Sequence, residues 1–390
     1  MSIKSLMNYT FVSKYARWIP EKKRRETWAE AVDRVKQMML DKYSSHEDVL
    51  EDIEWAYEKM LKKQILGSQR ALQFGGSPIF KHNARIYNCI TSFADRVRFF
   101  QECMYLLLCG CGTGFSVQKH HMDKLPLLIK NKNGTKKFVI PDSIEGWSDA
   151  VGVLVSSYFS QSDLFPEYNS KNITFDYSEI RPAGSVLKSS GGKAPGPEPL
   201  KNALSNIKKL LDKALIDLEF CHKSIRRLTP IQAYDIVMHA ADAVISGGVR
   251  RSATICLFSP DDEEMAKAKT GNWFIENPQR GRSNNSALLL RNETTKKQFS
   301  ELMVSVKDFG EPGFVWSDST ELIVNPCVEI GMWPVDETTG KSGWQACNLS
   351  TINCSKIKTE EEFYDACKAA SIIGTLQAGF DTFEYLGETS

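Results

Sequence analysis

The densest chemistry in the sequence is Asn325-Pro326-Cys327-Val328-Glu329, followed twenty positions after Cys327 by Cys347 in Ala346-Cys347-Asn348-Leu349-Ser350. A thiol can do covalent or radical work, a carboxylate can move a proton, and an amide can orient a hydroxyl. Pro326 fixes its own φ and pushes Asn325 out of the helical region, which favours extended chain. In extended chain, residues i, i+2 and i+4 share a side, so Asn325, Cys327 and Glu329 are expected on one face. Taken alone, the pentapeptide also fits a surface loop with an incidental cysteine. Other parts of the chain decide between the two.

The composition allows a catalytic protein and argues against several other classes. The 390 residues are 42% hydrophobic and 25% charged, as in an ordinary soluble globular chain of one large or two to three smaller domains. A formal net charge of +1 gives no basic excess for nucleic acid and no acidic excess for disorder. The ten cysteines include no CxxC pair or zinc-finger spacing. Met1 to Arg25 is polar and basic, unlike a signal peptide, and no membrane span is visible. The expectation is a cytoplasmic protein with reduced thiols, in which paired cysteines are catalytic rather than structural.

The elements that must position these residues alternate between helices and short apolar strands from about Tyr87 onward, which predicts α/β architecture. Helical periodicity covers Trp28 to Tyr43, Val49 to Ile65, Asp95 to Leu108, Asp142 to Phe159, Leu200 to Leu228, Thr294 to Val306 and Phe363 to Phe380. Another helix runs from Thr229 to Ile245, with Thr229 as N-cap and Pro230 at the first helical position. Strand-like runs occur at Tyr87 to Ser92, Ala253 to Phe258 and Asn284 to Leu290. Residues 1–80 read as a helical region, with the main α/β body over 81–390. No internal repeat is visible.

Four features invite a ligand. Gly110-Cys111-Gly112-Thr113-Gly114-Phe115-Ser116 reads as a glycine-rich turn, but no helix opens after it as a dinucleotide fingerprint requires. Cys109, Cys111, His120 and His121 are metal-type residues, yet adjacent histidines on a strand cannot easily aim at one ion, so no metal is expected. Ser246-Gly247-Gly248-Val249-Arg250-Arg251-Ser252 suits either a mobile loop that meets phosphate or base, or a glycine C-cap with solvated arginines. The stretch from Gly191 to Pro199 reads equally as a linker or as a loop shaped around a ligand.

Several of these stretches occur in the order found in one family. Asn325-Pro326-Cys327-Val328-Glu329, Ala346-Cys347-Asn348-Leu349-Ser350, Asn88-Cys89 and Gly247-Gly248-Val249-Arg250 resemble the catalytic subunit of ribonucleotide reductases. Gly112-Thr113-Gly114-Phe115-Ser116, Asp176-Tyr177-Ser178 with Ile180-Arg181-Pro182, and Ser190-Gly191-Gly192 resemble the monomeric, adenosylcobalamin-dependent triphosphate-reductase branch. So do Gly196-Pro197-Glu198-Pro199, Arg250-Arg251-Ser252-Ala253 and Thr375-Leu376-Gln377-Ala378.

The resemblance implies reduction of ribonucleotides, as triphosphates, to deoxyribonucleotides for DNA synthesis. Cys327 would be the thiyl radical that takes the 3′-hydrogen, Glu329 the base on the 3′-hydroxyl, and Asn325 the holder of the sugar hydroxyls. Cys89 and Cys347, 258 positions apart, would reduce the 2′-carbon and close into a disulfide, with Cα atoms within about 7 Å. The loop of Gly247, Gly248, Arg250, Arg251 and Ser252 would couple a dNTP or ATP effector to the choice of base. Asn88, Asp95, Gly112 and Gly114 complete the implied nucleotide-binding set.

The implied cofactor is adenosylcobalamin, and the implied reductant is thioredoxin-like. The implied fold is a ten-stranded α/β barrel of two half-barrels, with the radical cysteine on a finger loop inside it. This sequence stops at Ser390, before the later strands and the C-terminal cysteine pair of that pattern. The expectation is an incomplete barrel that needs a C-terminal partner polypeptide. Two other readings remain: a reductase whose radical comes from a separate metal-containing subunit, and a nucleotide-binding module without catalysis.

Overall fold

The computed structural model describes residues 2–389 except 130–131, 161, 187–192, 221–226 and 246–252. The chain divides into two compact units. The larger holds residues 89–186, 193–345 and 385–390, and the smaller holds 1–88 and 346–384. The N-terminal helices therefore share a unit with a later part of the chain instead of ending at residue 80.

The larger unit is built on five parallel strands: β1 (Cys89–Phe93), β2 (Gly112–Ser116), β3 (Thr254–Phe258), β4 (Ser283–Leu290) and β5 (Gly313–Ser317). Their spatial order, β5-β4-β3-β2-β1, follows the chain. The register pairs Cys89 with Gly112, Thr113 with Thr254, and Thr254 with Ser283. Every residue of β1, β2 and β3 is buried, as expected of parallel strands covered on both faces. The glycine-rich stretch predicted as a turn is thus the second strand of the sheet. The turn itself is Gly110, whose φ of 98° lets it cap the preceding helix in the left-handed region.

Helices supply the crossovers that parallel strands require. They are α1 (Arg98–Cys109), α2 (Ile144–Ser156), α3 (Glu198–Phe220), α4 (Pro230–Ile245) and α5 (Lys296–Phe309). Their starts follow capping chemistry. Ser143 accepts from Gly146 N at 2.9 Å, and Thr229 and Gln232 satisfy each other's backbone N–H groups. Between β2 and α3 the chain inserts a parallel pair, Thr135–Val139 with Asn172–Asp176, which periodicity did not reveal. On one face of the sheet, Phe93, Ile255, Leu257 and Leu288 pack with Ile323 and Val324, which belong to the chain that follows β5. Burying one such aliphatic side chain contributes about 1.5–3 kcal/mol.

In the smaller unit, Trp28–Lys42, Glu47–Leu61 and Glu360–Ala378 are helices, and Ile65–Leu66 pairs antiparallel with Thr351–Ile352. Ile3–Lys14, where no element was predicted, is a helix without a buried residue. Gln377 organises this unit. It is 1% exposed, accepts from Ser68 N at 2.6 Å, and donates to Asn348 Oδ1 at 2.7 Å and Leu349 O at 3.2 Å. The chain next to Cys347 is fixed in this way, which gives Gln377 of the Thr375-Leu376-Gln377-Ala378 stretch a physical role.

Candidate active site

The finger loop is a short antiparallel hairpin, Ile323–Val324 with Gly331–Met332, connected through residues 325–330. Its tip is a turn and not extended chain: Val328 N donates to Asn325 O at 2.9 Å, and Val328 has φ 68°. The predicted single face of Asn325, Cys327 and Glu329 is therefore corrected. Asn325 is fully buried, whereas Cys327 and Glu329 are exposed. The turn places Asn325 at the root and Cys327 at the tip. A β-branched residue with positive φ is a strained conformation, of a kind that clusters at functional sites.

Asn325 holds the loop together. Its N–H donates to Ile330 O at 3.3 Å, its Oδ1 accepts from Ile330 N at 3.3 Å, and its Nδ2 donates to Glu329 Oε1 at 2.9 Å. The amide thus orients one carboxylate oxygen, and the carboxylate keeps lone pairs for a further donor. Cys327 Sγ lies 3.9 Å from Cys89 Sγ, which is buried at the start of β1. A pair of thiols 238 positions apart is brought to van der Waals distance by strand β1 and the loop.

Glycine at position 114 permits this approach. A Cβ on Gly114 would lie 2.4 Å from Val324 O, 2.8 Å from Thr91 Cγ2 and 3.4 Å from Ile255 Cγ2. Only a bare backbone lets the hairpin settle on β2 one residue before Asn325. Thr91 adds a contact of its Oγ1 with Met332 Sδ at 3.4 Å.

The other expected site residues are distributed as follows. Cys347 is buried and belongs to the smaller unit, as does half-buried Asn88. Asp95 is buried, accepts from Ser342 Oγ at 2.6 Å and pairs with Arg96 at 3.2 Å. Gly112 is buried in β2. Gly247, Gly248, Arg250, Arg251 and Ser252 lie outside the described residues. Arg181 is paired with Asp142 at 2.6 Å.

His120 and His121 sit on a single helical turn, Lys119–Met122, and both reach Glu321. Cys109 and Cys111 are buried and are not part of that cluster. Nothing in the sequence pointed to Glu321, some 200 positions away; only the β2–finger-loop packing reveals it.

Residues 115–211 match the family described as the insertion domain of B12-dependent ribonucleotide reductase. They take in the inserted parallel pair, α2 and the first part of α3. The chain is similar to B12-dependent ribonucleotide reductases.

Curated reductases agree over most of the chain. The adenosylcobalamin-dependent ribonucleoside-triphosphate reductase of Lactobacillus leichmannii is 26% identical over 366 residues, covering 78% of this chain and 47% of that protein. The reductase of the same name from Euglena gracilis is 28% identical over 315 residues, covering 75% and 40%. A probable one from Dictyostelium discoideum is 31% identical over 228 residues, covering 55% and 27%. A crystal structure of a B12-dependent, class II ribonucleotide reductase superposes with a TM-score of 0.76 at 22% identity. It covers 96% of this chain and 59% of the solved one, which shows the reductase fold. The chain spans about half the length of the curated relatives it matches.

Proposed function

We propose that this chain supplies the radical-cysteine portion of an adenosylcobalamin-dependent ribonucleoside-triphosphate reductase. The observation that carries the reading is the approach of Cys327 to Cys89 at 3.9 Å, with Glu329 oriented by Asn325 at 2.9 Å beside it. A structural loop has no need of an exposed thiol at a strained turn, a second thiol behind it and a carboxylate aimed by a buried amide. The activity is proposed for the enzyme at full length, since the matched relatives are about twice as long.

The loop suits the implied cofactor. Cys327 is exposed at the tip and its neighbour Val328 is 47% exposed, so a bulky group can approach the tip. When bound, adenosylcobalamin supplies the one-electron chemistry that removes the hydrogen atom from the thiol.

The residues then divide the reaction among themselves. The Cys327 sulfur takes the hydrogen atom from C3′ of the ribose. Glu329 accepts the proton of the 3′-hydroxyl, positioned for it by Asn325. With that proton gone, the 2′-hydroxyl departs as water after receiving a proton from a thiol. Cys89 and Cys347 supply the two electrons that reduce C2′ and are left as a disulfide, which a thioredoxin-like dithiol reopens. The hydrogen atom returns from Cys327 to C3′ and the proton from Glu329 to the 3′-oxygen, so both residues end unchanged. The loop around Arg250 and Arg251 is proposed, on sequence resemblance, to read a dNTP or ATP effector.

The test is deoxynucleotide formation by the full-length enzyme with a nucleoside triphosphate, a dithiol and an effector dNTP. Product that requires adenosylcobalamin and disappears in Cys327→Ala, while nucleotide binding survives, supports the reading. Turnover by Cys327→Ala would reject it. Product restored only by a small metal-containing subunit would move the chain to the other radical class.

A further inference from the structure

The position of Cys327 depends on how the root of its loop is held, and an unassigned side-chain cluster lies at that root. His121 is fully buried, its ring stacked on Phe93 at 3.8 Å and 14°. Its Nε2 is 3.1 Å from Glu321 Oε2, and its Nδ1 is 2.9 Å from Ser116 Oγ. His120 Nε2 reaches the other carboxylate oxygen at 2.8 Å.

Hydrogen-bond accounting fixes the protons. Gln118 donates to Ser116 Oγ from its backbone N–H at 3.2 Å and from Nε2 at 3.0 Å, and Nε2 also donates to Thr320 O at 2.8 Å. Two donors fill the acceptor sites of Ser116 Oγ, so the hydroxyl hydrogen goes to His121 Nδ1. The imidazole is then the Nε2–H tautomer and donates to Glu321. Burial, acting first, lowers the His121 pKa and keeps the ring neutral, and the hydrogen bond from His121 holds the Glu321 carboxyl at about 2.

The same His120, His121 and Glu321 atoms lie within 4.8 Å of one another, a set that could bind a metal. A cation on His121 Nε2 needs a lone pair there and a hydrogen on Nδ1. Ser116 Oγ would then face three donors with two acceptor sites. The wiring favours a hydrogen-bonded tie.

The tie connects the two thiols. Strand β1 carries Cys89 at its start and Phe93 at its end, four residues or roughly 13 Å along extended chain. The finger loop carries Glu321 at its root, four residues before Asn325 and six before Cys327. His121 stacks on the first element and hydrogen-bonds the second. We propose that Ser116, His121 and Glu321 form a pin that sets the distance between Cys89 and Cys327, acting as positioning residues for the radical loop. The kinetic consequence rests on the reductase reading; the geometric one does not.

The experiment therefore has two arms. In this chain, with Cys347→Ser to remove the competing thiol, the rate of Cys89–Cys327 cross-linking by diamide is followed by peptide mass spectrometry. The oxidant takes both thiol hydrogens as the sulfurs join. Glu321→Ala should slow the reaction roughly tenfold to a hundredfold, and Glu321→Gln, whose Oε1 still accepts from His121, should restore most of it. If Glu321→Ala does not fold, Ser116→Ala gives the same readout with a smaller perturbation. In the full-length enzyme, Glu321→Ala should lower kcat by a similar factor with KM unchanged. An unchanged or faster cross-linking rate overturns the pin. So does stoichiometric Zn2+ uptake that Glu321→Ala abolishes, which would make the cluster a metal centre. Absence of reductase activity in every variant bears only on the proposed function, because the cross-linking arm is read without it.

Discussion

Gly114→Ala probes the packing of the finger loop most sharply. The added Cβ would stand 2.4 Å from Val324 O and 2.8 Å from Thr91 Cγ2. A close carbon–oxygen contact needs about 3.3 Å, so the Val324 carbonyl must retreat by roughly 0.9 Å. Strand β2 cannot retreat in its place. It is buried and hydrogen-bonded on both sides, by β1 and β3. The displaced carbonyl belongs to the residue immediately before Asn325, so the shift passes into the amide that orients Glu329.

Overpacking of this kind costs about 1–3 kcal/mol of stability, and a misplacement near 1 Å in a catalytic array costs about a hundredfold in rate. Denaturant unfolding of this chain and turnover of the full-length enzyme measure the two effects separately. The expected result is a modest stability loss with a disproportionate fall in kcat. Wild-type stability and wild-type turnover in Gly114→Ala would refute the claim that the loop root is seated through that glycine.

Three further outcomes are expected. Because burial, above all, lowers the His121 pKa, the unfolded chain takes up a proton near pH 6.5 that the folded chain refuses, so stability falls as pH drops below that value. Glu321, held at about 2, adds a second loss as pH falls through about 4.5, and His121→Gln should flatten the melting temperature between pH 7 and 5. His239, whose pKa is lowered by burial in the same way, leaves a residual slope in that variant. Val328→Gly relieves a strained φ of 68° and should stabilise the chain by about 1 kcal/mol in denaturant unfolding while loosening the tip and lowering kcat. Gln377→Ala strands Ser68 N and Asn348 in the smaller unit and should cost about 3 kcal/mol by the same measurement, with a readout confined to stability.

Local signals carried much of the fold. Thr229-Pro230 announced α4 because an N-cap followed by proline is a local, chemically specific start. Apolar runs such as Ala253 to Phe258 announced central strands because both faces of a parallel sheet are covered. Asn325, Cys327 and Glu329 stand out in the sequence by type, and Cys89 only through the family resemblance; the structure sets Cys89 3.9 Å from Cys327 and Asn325 against Glu329. Their arrangement was not legible. Pro326 favours extended chain locally, but the hydrogen bond from Val328 N to Asn325 O closes a turn that propensity does not encode.

Glycines 112 and 114 looked like a turn because glycine is common there, whereas Gly114 is needed in a strand for contact with a segment 210 positions later. The His121–Glu321 pin is a purely tertiary contact for the same reason. The inserted pair Thr135–Val139 and Asn172–Asp176 is not legible in the periodicity because five-residue strands that are mostly exposed or half-buried carry little hydrophobic alternation.

The central claim, that Cys327 removes the hydrogen atom from C3′, is tested most directly with a nucleoside triphosphate carrying tritium at C3′. With the full-length enzyme, adenosylcobalamin and a dithiol, the wild type should turn over the tritiated nucleotide more slowly than the unlabelled one and keep the label at C3′ of the product, and Cys327→Ser should form no deoxynucleotide. Deoxynucleotide formation by Cys327→Ser with the same isotope effect would contradict the account and require another residue to carry the radical.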